Sequence, residues 1–266
     1  MQATIPAFSD DRPAAAREQL AWPSAAGTRL YAKHMTDLLP TPTADALPRR
    51  LSNFRTLGDA LDYAAGGQRG FNFHDARGQL ARPYPFRELR EDALAHARRL
   101  RARGITKGDR VALIAETGPE FAALFFGAVY AGAWPVPLPL PTSFGGASAY
   151  VDQLRVQLGS CDPTLLVYPA VLEAMAAEAG ALAGVDAVSW EQLATEPATD
   201  AVLPSADPDD VAYLQYSSGS TRFPHGVVIT HRALLNNLAA HSHGMQVVDT
   251  DRCVSWLPWY HDMGLV

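Results

Sequence analysis

From Thr56 onward the apolar positions fall into two alternating patterns, short continuous runs and helical stripes. Thr56 is placed to cap a helix running to about Ala65, with Leu57, Ala60, Leu61 and Ala64 on one face. Phe71–His74 and Arg82–Phe86 read as hairpin strands around Ala76–Gly78. A long helix over Phe86–Arg103 then buries Leu89, Ala93, Leu94, Ala97 and Leu100 and stops at Gly104. Lys107-Gly108-Asp109 turns into the strand Arg110–Ala115. Pro119 starts the next helix, where its missing N–H costs nothing, and Phe121–Ala131 is apolar nearly all round, as for a helix inside a layered domain. An extended, proline-alternating run from Trp134, a helix Ala149–Leu158, a break at Cys161-Asp162-Pro163, a strand Thr164–Tyr168 and a helix Ala170–Ala181 continue the alternation. Repeated β-then-α units imply an α/β layered domain with a largely parallel sheet.

The second part of the chain centres on V-A-Y-L-Q-Y-S-S-G-S-T-R-F-P-H-G-V-V-I-T. Two apolar runs, Val211–Tyr216 and Val227–Thr230, read as strands, and Leu203–Asp210 is the surface turn that leads into them. Thr230 caps a helix His231–Met245, Asp249–Arg252 turns, and Val254–Leu257 is expected to lie against the sheet. Residues 1–50 differ. They are rich in Ala, Pro, Thr and Asp without a sustained period, and read as a disordered or loosely attached extension with one short helix near Ala14–Ala21. The domain proper is therefore expected over residues 51–266.

Composition narrows the function classes. At 266 residues, 48% hydrophobic and 19% charged, the chain has ample core for a soluble globular protein. A net charge of −6 argues against a nucleic-acid or anionic-membrane surface. Cys161 and Cys253 are far apart with no Cys/His cluster nearby, which fits a reducing cytoplasm; both read as buried small hydrophobes, and neither suggests a metal site. Met1–Asp11 lacks the basic start and apolar core of a targeting signal. Phe121–Val151 carries no charged side chain, but Pro135, Pro137, Pro139 and Pro141 break it well short of the ~20 residues of a spanning helix. Arg98, Arg99, Arg101 and Arg103 suit the negative end of a helix dipole and read as a solvated face.

The chemistry lies between the two strands of the central stretch. Ser217, Ser218, Ser220 and Thr221 supply hydroxyls, Gly219 and Gly226 allow close backbone approach, and Arg222 supplies a permanent cation. That combination suits a polyphosphate, which offers many acceptor oxygens and negative charge. The loop is not a Walker A, because no Gly-Lys-Ser/Thr follows and a strand, not a helix, comes next. A plain Ser/Gly connection is the alternative, though a linker has no reason to hold Arg222, Phe223, Pro224 and His225 between buried strands.

This loop resembles the phosphate-binding loop of the adenylate-forming (AMP-binding) enzymes, [ST]-[ST]-G-[ST]-[ST]-G-x-P-K-G. It departs twice, with Arg222 in place of glycine and His225 in place of lysine. The S-T-R-x-P-x-G form resembles the fatty acyl-AMP ligase branch. G-D-R-V-A-L-I-A-E-T-G-P-E-F, F-F-G-A-V-Y-A-G and V-P-L-P-L-P-T-S-F-G-G are similar to that branch too, so the likeness runs from about Phe54 to the last residue. Ser255–Gly264 resembles the S-W-L-P-x-Y-H-D-M-G motif, which implies a carboxylate pocket. By that resemblance His261 is the candidate catalytic residue, between acyl chain and nucleotide, and Trp256, Trp259, Tyr260, Met263 and Gly264 border the acyl channel.

The resemblance implies ATP and Mg2+ as cofactors, and attack of a fatty carboxylate on the α-phosphorus to give acyl-adenylate and pyrophosphate. The acceptor it implies is an acyl carrier protein or a polyketide or peptide synthase module. The family's adenine-binding turn, ribose-binding aspartate and C-terminal lysine come later than Val266, so the chain is expected to be the first half of an adenylating domain and inactive alone. Its aromatic W-L-P-W-Y stretch is then expected to be more exposed than a finished core. A fatty acyl-CoA ligase, and a nonenzymatic remnant that keeps the fold and weak nucleotide affinity, remain as alternatives.

Overall fold

The computed structural model describes residues 47–50, 52–141, 146–217, 226–248 and 250–266. The expected extension, with its helix near Ala14–Ala21, lies outside the described residues but for its last few positions.

Helix α1 (Leu57–Ala64) begins on a capping box. The Asp59 N–H donates to Thr56 Oγ1 at 3.1 Å and the Thr56 N–H to Asp59 Oδ2 at 3.0 Å, so two orphan donors are satisfied reciprocally. Strands β1 (Gly70–His74) and β2 (Leu80–Pro85) form an antiparallel ribbon. Helix α2 (Phe86–Ala102) follows directly, so Phe86 opens the helix instead of closing the strand. It buries Leu89, Ala93, Ala97 and Leu100, while Leu94, expected in the core, is half-buried at the edge of the apolar stripe.

The central sheet comprises β3 (Arg110–Ile114), β4 (Trp134–Leu138), β5 (Leu165–Tyr168) and β6 (Asp186–Ser189), all parallel, in the order β4-β3-β5-β6. Its strands read as unbroken apolar runs because both faces are covered. Val111, Leu113, Leu165 and Val167 face α2 and α3 (Pro119–Tyr130). Ala112, Ile114, Leu166 and Tyr168 face α4 (Gly146–Cys161) and α5 (Glu173–Ala183). The expected α/β layering with a parallel sheet is therefore observed. The sequence reading passed over β6 and the short helix α6 (Trp190–Thr195), which closes the edge by burying Trp190 and Leu193.

Pro135 and Pro137 are tolerated because β4 is an edge strand. The Trp134 N–H points inward to the Asp109 carbonyl at 2.7 Å, and alternation then puts the two proline nitrogens on the outer edge, where β3 needs no donor. Strand β7 (Val211–Tyr216) lies along that outer edge but pairs instead with β8 (Gly226–Thr230), as an antiparallel ribbon of its own. Prolines on the facing edge explain why the ribbon packs beside the sheet without joining its ladder. Helix α7 (His231–Gly244) starts on Thr230, whose hydroxyl accepts from the Ala233 N–H at 3.2 Å.

Three further expectations are corrected. Val254–Leu257 forms no strand. Cys161 is buried as expected, but Cys253 is exposed, because it stands in the irregular stretch after α7. The arginine cluster at the end of α2 is not simply a solvated face. Arg103 forms a two-point ion pair with Glu196, Arg99 donates to the Glu196 carbonyl at 3.2 Å and Arg101 to the Ile105 carbonyl at 2.8 Å. Only Arg98 stays exposed among the four.

Candidate active site

The β7–β8 pairing ends at Tyr216 opposite Gly226, which makes Ser217–His225 the connecting loop. Ser217 is half-buried at its root. Ser218, Gly219, Ser220, Thr221, Arg222 and His225 lie outside the described residues. At Gly226 a Cβ would meet Leu214 Cδ2 at 3.0 Å, across the ribbon, a tight contact that the leucine side chain would have to relieve.

Strand β7 holds the loop root from both faces. Leu214 and Tyr216 point toward α4, where the Tyr216 hydroxyl donates to the Gln157 carbonyl at 3.1 Å. Burial raises the Tyr216 phenol well above its ordinary value, so it stays a neutral donor. Tyr213 and Gln215 point the other way. Burial, helped by the charge of Asp262, pushes the Tyr213 phenol up to about 12. Gln215 is 5% exposed, and its Nε2 donates to the Tyr260 carbonyl at 2.7 Å and to the Tyr216 carbonyl at 3.3 Å.

That bond places the loop root directly beside the second motif. Residues 255–265 run as a tight series of turns ending in the one-turn helix α8 (Asp262–Leu265). The His261 N–H donates to the Pro258 carbonyl at 3.1 Å, and the N–H groups of Gly264 and Leu265 both donate to the His261 carbonyl at 3.0 Å. Gly264 is required by close approach, since a Cβ would fall 2.3 Å from the Pro258 carbonyl oxygen. His261 Nδ1 lies 2.7 Å from Asp262 Oδ1 and 3.3 Å from the Met263 nitrogen. One ring nitrogen cannot donate to the carboxylate and accept from the N–H at once. The shorter contact puts the proton on Nδ1, and Asp262 Oδ1, 2.9 Å from the Met263 nitrogen, accepts from both. Among the described residues Nε2 has no hydrogen-bond partner.

The aromatic residues expected around an acyl channel are divided. Trp259 is an anchor, its ring 5.8 Å from those of Phe71 and Phe73 and 5.7 Å from that of Phe121. With Gly264 it lines an apolar cavity of about 240 Å³ whose walls include Phe121, Phe125, Leu234 and Leu238. Tyr260 is half-buried and contributes its carbonyl to Gln215. Trp256, 89% exposed, and Met263, 73% exposed, stand away from that cavity, so these five residues do not line one pocket. The exposure of Trp256 fits the expectation that this stretch is less covered than a finished core. Sequence reasoning missed Gln215 and Asp262; the signal for the first was an amide inside an apolar strand. Among the described residues no group of three or more His, Cys, Asp or Glu side chains is arranged to hold a metal ion.

Comparison with known proteins agrees with this arrangement. Residues 74–266 match the model of the AMP-binding enzyme family. A Caulobacter vibrioides protein provisionally named an acyl-CoA synthetase is 45% identical over 230 residues, which is 86% of this chain and 40% of that protein. The long-chain-fatty-acid–AMP ligase FadD32 of Mycobacterium marinum is 37% identical over 60% of this chain and 25% of its own length. A solved structure from work on the fatty acyl-adenylate ligases of E. coli and L. pneumophila is 44% identical, with a TM-score of 0.79 over 82% of this chain and 40% of that one. The L. pneumophila ligase in complex with acyl adenylate and pyrophosphate gives a TM-score of 0.68 at 27% identity, over 83% of this chain and 38% of that one. The chain thus spans well under half the length of each of these relatives. With the family model covering most of its residues and the layered fold shared at 44% identity, the chain belongs to the AMP-binding enzyme family.

Proposed function

We propose that this chain is the phosphate-loop and carboxylate-site portion of an enzyme that activates fatty acids as acyl-adenylates. The observation that carries the reading is the 2.7 Å bond from Gln215 to Tyr260. It sets the root of the Ser217–Gly226 loop beside His261, and two substrates that react with each other need their sites adjacent.

The fatty carboxylate oxygen attacks the α-phosphorus of ATP; the bond between the α-phosphorus and the bridging oxygen breaks, and pyrophosphate leaves with the electron pair. Ser217, Ser218, Ser220, Thr221 and the loop N–H groups hold the β- and γ-phosphates, and Arg222 is the loop's permanent cation. His225, whose reference value is ~6.5, is a weak substitute for lysine at neutral pH. Mg2+ bound with ATP would supply neutralisation of the developing phosphate charge; the described residues offer no separate protein cage for it. His261, with Nδ1 committed to Asp262, presents Nε2 between the carboxylate and nucleotide sites. The apolar cavity beside Trp259 supports an aliphatic substrate, and a carrier protein is the acceptor suggested by the S-T-R-x-P-x-G loop.

A coenzyme A acceptor is the second reading, favoured by the name of the Caulobacter relative. The test is fatty-acid-dependent ATP–pyrophosphate exchange. It is measured on this chain alone and on this chain joined to the remainder of that relative, which this chain does not match. The expected result is no exchange by the chain alone and exchange by the joined protein, followed by transfer to a carrier protein and not to coenzyme A. Exchange driven only by non-aliphatic acids would overturn the reading.

A further inference from the structure

We infer that Gln215 is a positioning residue that sets where the His261–Asp262 pair stands relative to strand β7. The inference rests on the acyl-activating reading only for its consequence in catalysis; the coupling itself is a property of the chain.

Four observations carry it. First, the orientation of the amide is determined. Nε2 faces two carbonyl oxygens, of Tyr260 and Tyr216, and an oxygen placed there would face acceptors only. Second, Gln215 is 5% exposed in a strand whose other buried positions are Ala212, Tyr213 and Leu214. A residue that merely filled this space would be apolar, since a buried amide is favourable only when its hydrogen bonds are made. Third, among the described residues Oε1 is buried without a hydrogen-bond partner. An unpaired buried carbonyl oxygen is costly, and it is accepted here because turning the amide to serve it would forfeit both donor contacts. Fourth, the Tyr260 carbonyl belongs to the peptide unit that carries the His261 N–H. That N–H donates to the Pro258 carbonyl, and the His261 carbonyl receives the N–H groups of Gly264 and Leu265. Every other hydrogen bond described for these turns is local, within residues 255–266. The Gln215 contact spans 45 residues and is, among the described residues, the hydrogen bond that ties the turns to the β7–β8 ribbon.

Releasing it leaves Trp259 anchored among its aromatic neighbours but frees the segment immediately after it. The consequence is a change in His261 and its amide neighbours out of proportion to any loss of global stability.

The test uses this chain with Gln215→Met, which keeps length and apolar bulk but removes both donors, and Gln215→Glu. In the wild type, the His261 imidazole nitrogens are assigned by NMR, and exchange is followed at the Gly264 and Leu265 amides. In Gln215→Met, exchange of those two amides should accelerate roughly tenfold, the loss of one typical hydrogen bond. The His261 ring signals should move or broaden, while amides of β3 and β5 stay protected. Gln215→Glu puts a carboxylate against two carbonyls at neutral pH and should behave like the Met variant; once protonated its O–H can donate, so amide protection at Gly264 should partly return as pH falls. The inference is overturned if Gly264, Leu265 and the His261 ring are unchanged in a folded Gln215→Met. It is equally overturned if all amides lose protection in parallel, which is what a purely structural role would give. Neither outcome touches the acyl-activating reading, which stands or falls on pyrophosphate exchange.

Discussion

His231 Nδ1 accepts the backbone N–H of Leu57 at 3.1 Å across 174 residues, so the first helix of the domain is tied to the helix that follows the β7–β8 ribbon. The imidazole must be neutral at Nδ1 to accept, and burial lowers its pKa below the ordinary value, against the opposing pull of Asp210 and Asp59. His96 behaves alike: burial, aided by Arg99, holds it at about 4, and among the described residues its Nδ1 is buried without a partner. A histidine whose folded pKa lies below its unfolded value of ~6.5 contributes stability that is complete above that value and lost as pH falls toward the folded pKa. Urea midpoints should therefore fall between about pH 6.5 and pH 4. A double variant should lose part of that slope, with His231→Asn keeping an acceptor for Leu57 and His96→Leu removing the charge. An unchanged slope in the double variant would assign the whole effect to carboxylates.

Arg103 and Glu196 form the second long-range tie, with contacts of 2.6 Å and 2.5 Å. Both side chains are about one-fifth exposed, at 23% and 21%. The guanidinium holds the Glu196 carboxyl below its ordinary pKa. Glu196→Gln should cost about 1–3 kcal/mol at neutral pH, the range for hydrogen bonds to charged groups. Here too the folded pKa is depressed, so the contribution is present above the usual glutamate range and disappears as pH falls through the folded value. Equal stability of variant and wild type in denaturant titrations at pH 7 would show the pair to be neutral.

Much of the layout was legible because local signals and burial agree. Thr56 and Thr230 act as caps, Gly104 ends a helix at φ +89, and the apolar runs of β3 and β5 are covered on both faces. What was not legible depends on tertiary context. Ser189-Trp190-Glu191-Gln192 has the S-x-x-Q pattern of a helix start, and Ser189 Oγ does accept from the Gln192 N–H at 3.1 Å. The helix it opens is only six residues long and owes its place to the burial of Trp190 and Leu193. Within the site, the two motifs were visible separately, but the amide that joins them was not, because a glutamine in an apolar strand carries no sign of which carbonyl it will meet. Trp256 and Trp259 look alike in sequence, yet only Trp259 finds Phe71, Phe73 and Phe121.

Gly127 lies at a tight contact between α2 and α3. A Cβ there would lie 2.8 Å from His96 Cβ and 3.1 Å from the Ala93 carbonyl oxygen, and backbone cannot yield as a flexible side chain does. Gly127→Ala should therefore destabilise by about 1–3 kcal/mol despite a helix-propensity gain of about 1 kcal/mol. Gly159, also within a helix, has open space around its Cβ position, so Gly159→Ala should stabilise by about 0.5–1 kcal/mol. Thermal melts of the pair separate crowding from propensity: two variants shifting in the same direction would show that the α2–α3 contact is looser than its geometry implies.

Arg222 tests the proposed chemistry most directly. The usual family loop has a lysine where this chain has His225, and a histidine is largely uncharged at neutral pH, so on the proposed reading the positive charge for the phosphates falls to Arg222. A guanidinium offers paired donors that match phosphate oxygens, and a charge-assisted contact is worth about 1.5–3 kcal/mol. In a protein competent for pyrophosphate exchange, Arg222→Ala should raise the KM for ATP roughly ten- to hundredfold and leave the KM for the fatty acid nearly unchanged. Arg222→Lys, which keeps the charge but loses the fork, should fall between. His225→Lys should instead tighten ATP binding by restoring the family's usual cation. If Arg222→Ala left ATP kinetics intact while His225→Ala abolished them, the phosphate charge would be met by the imidazolium. The reaction would then slow as pH rises through the histidine's pKa, whereas an Arg222-based site keeps its ATP affinity across that range.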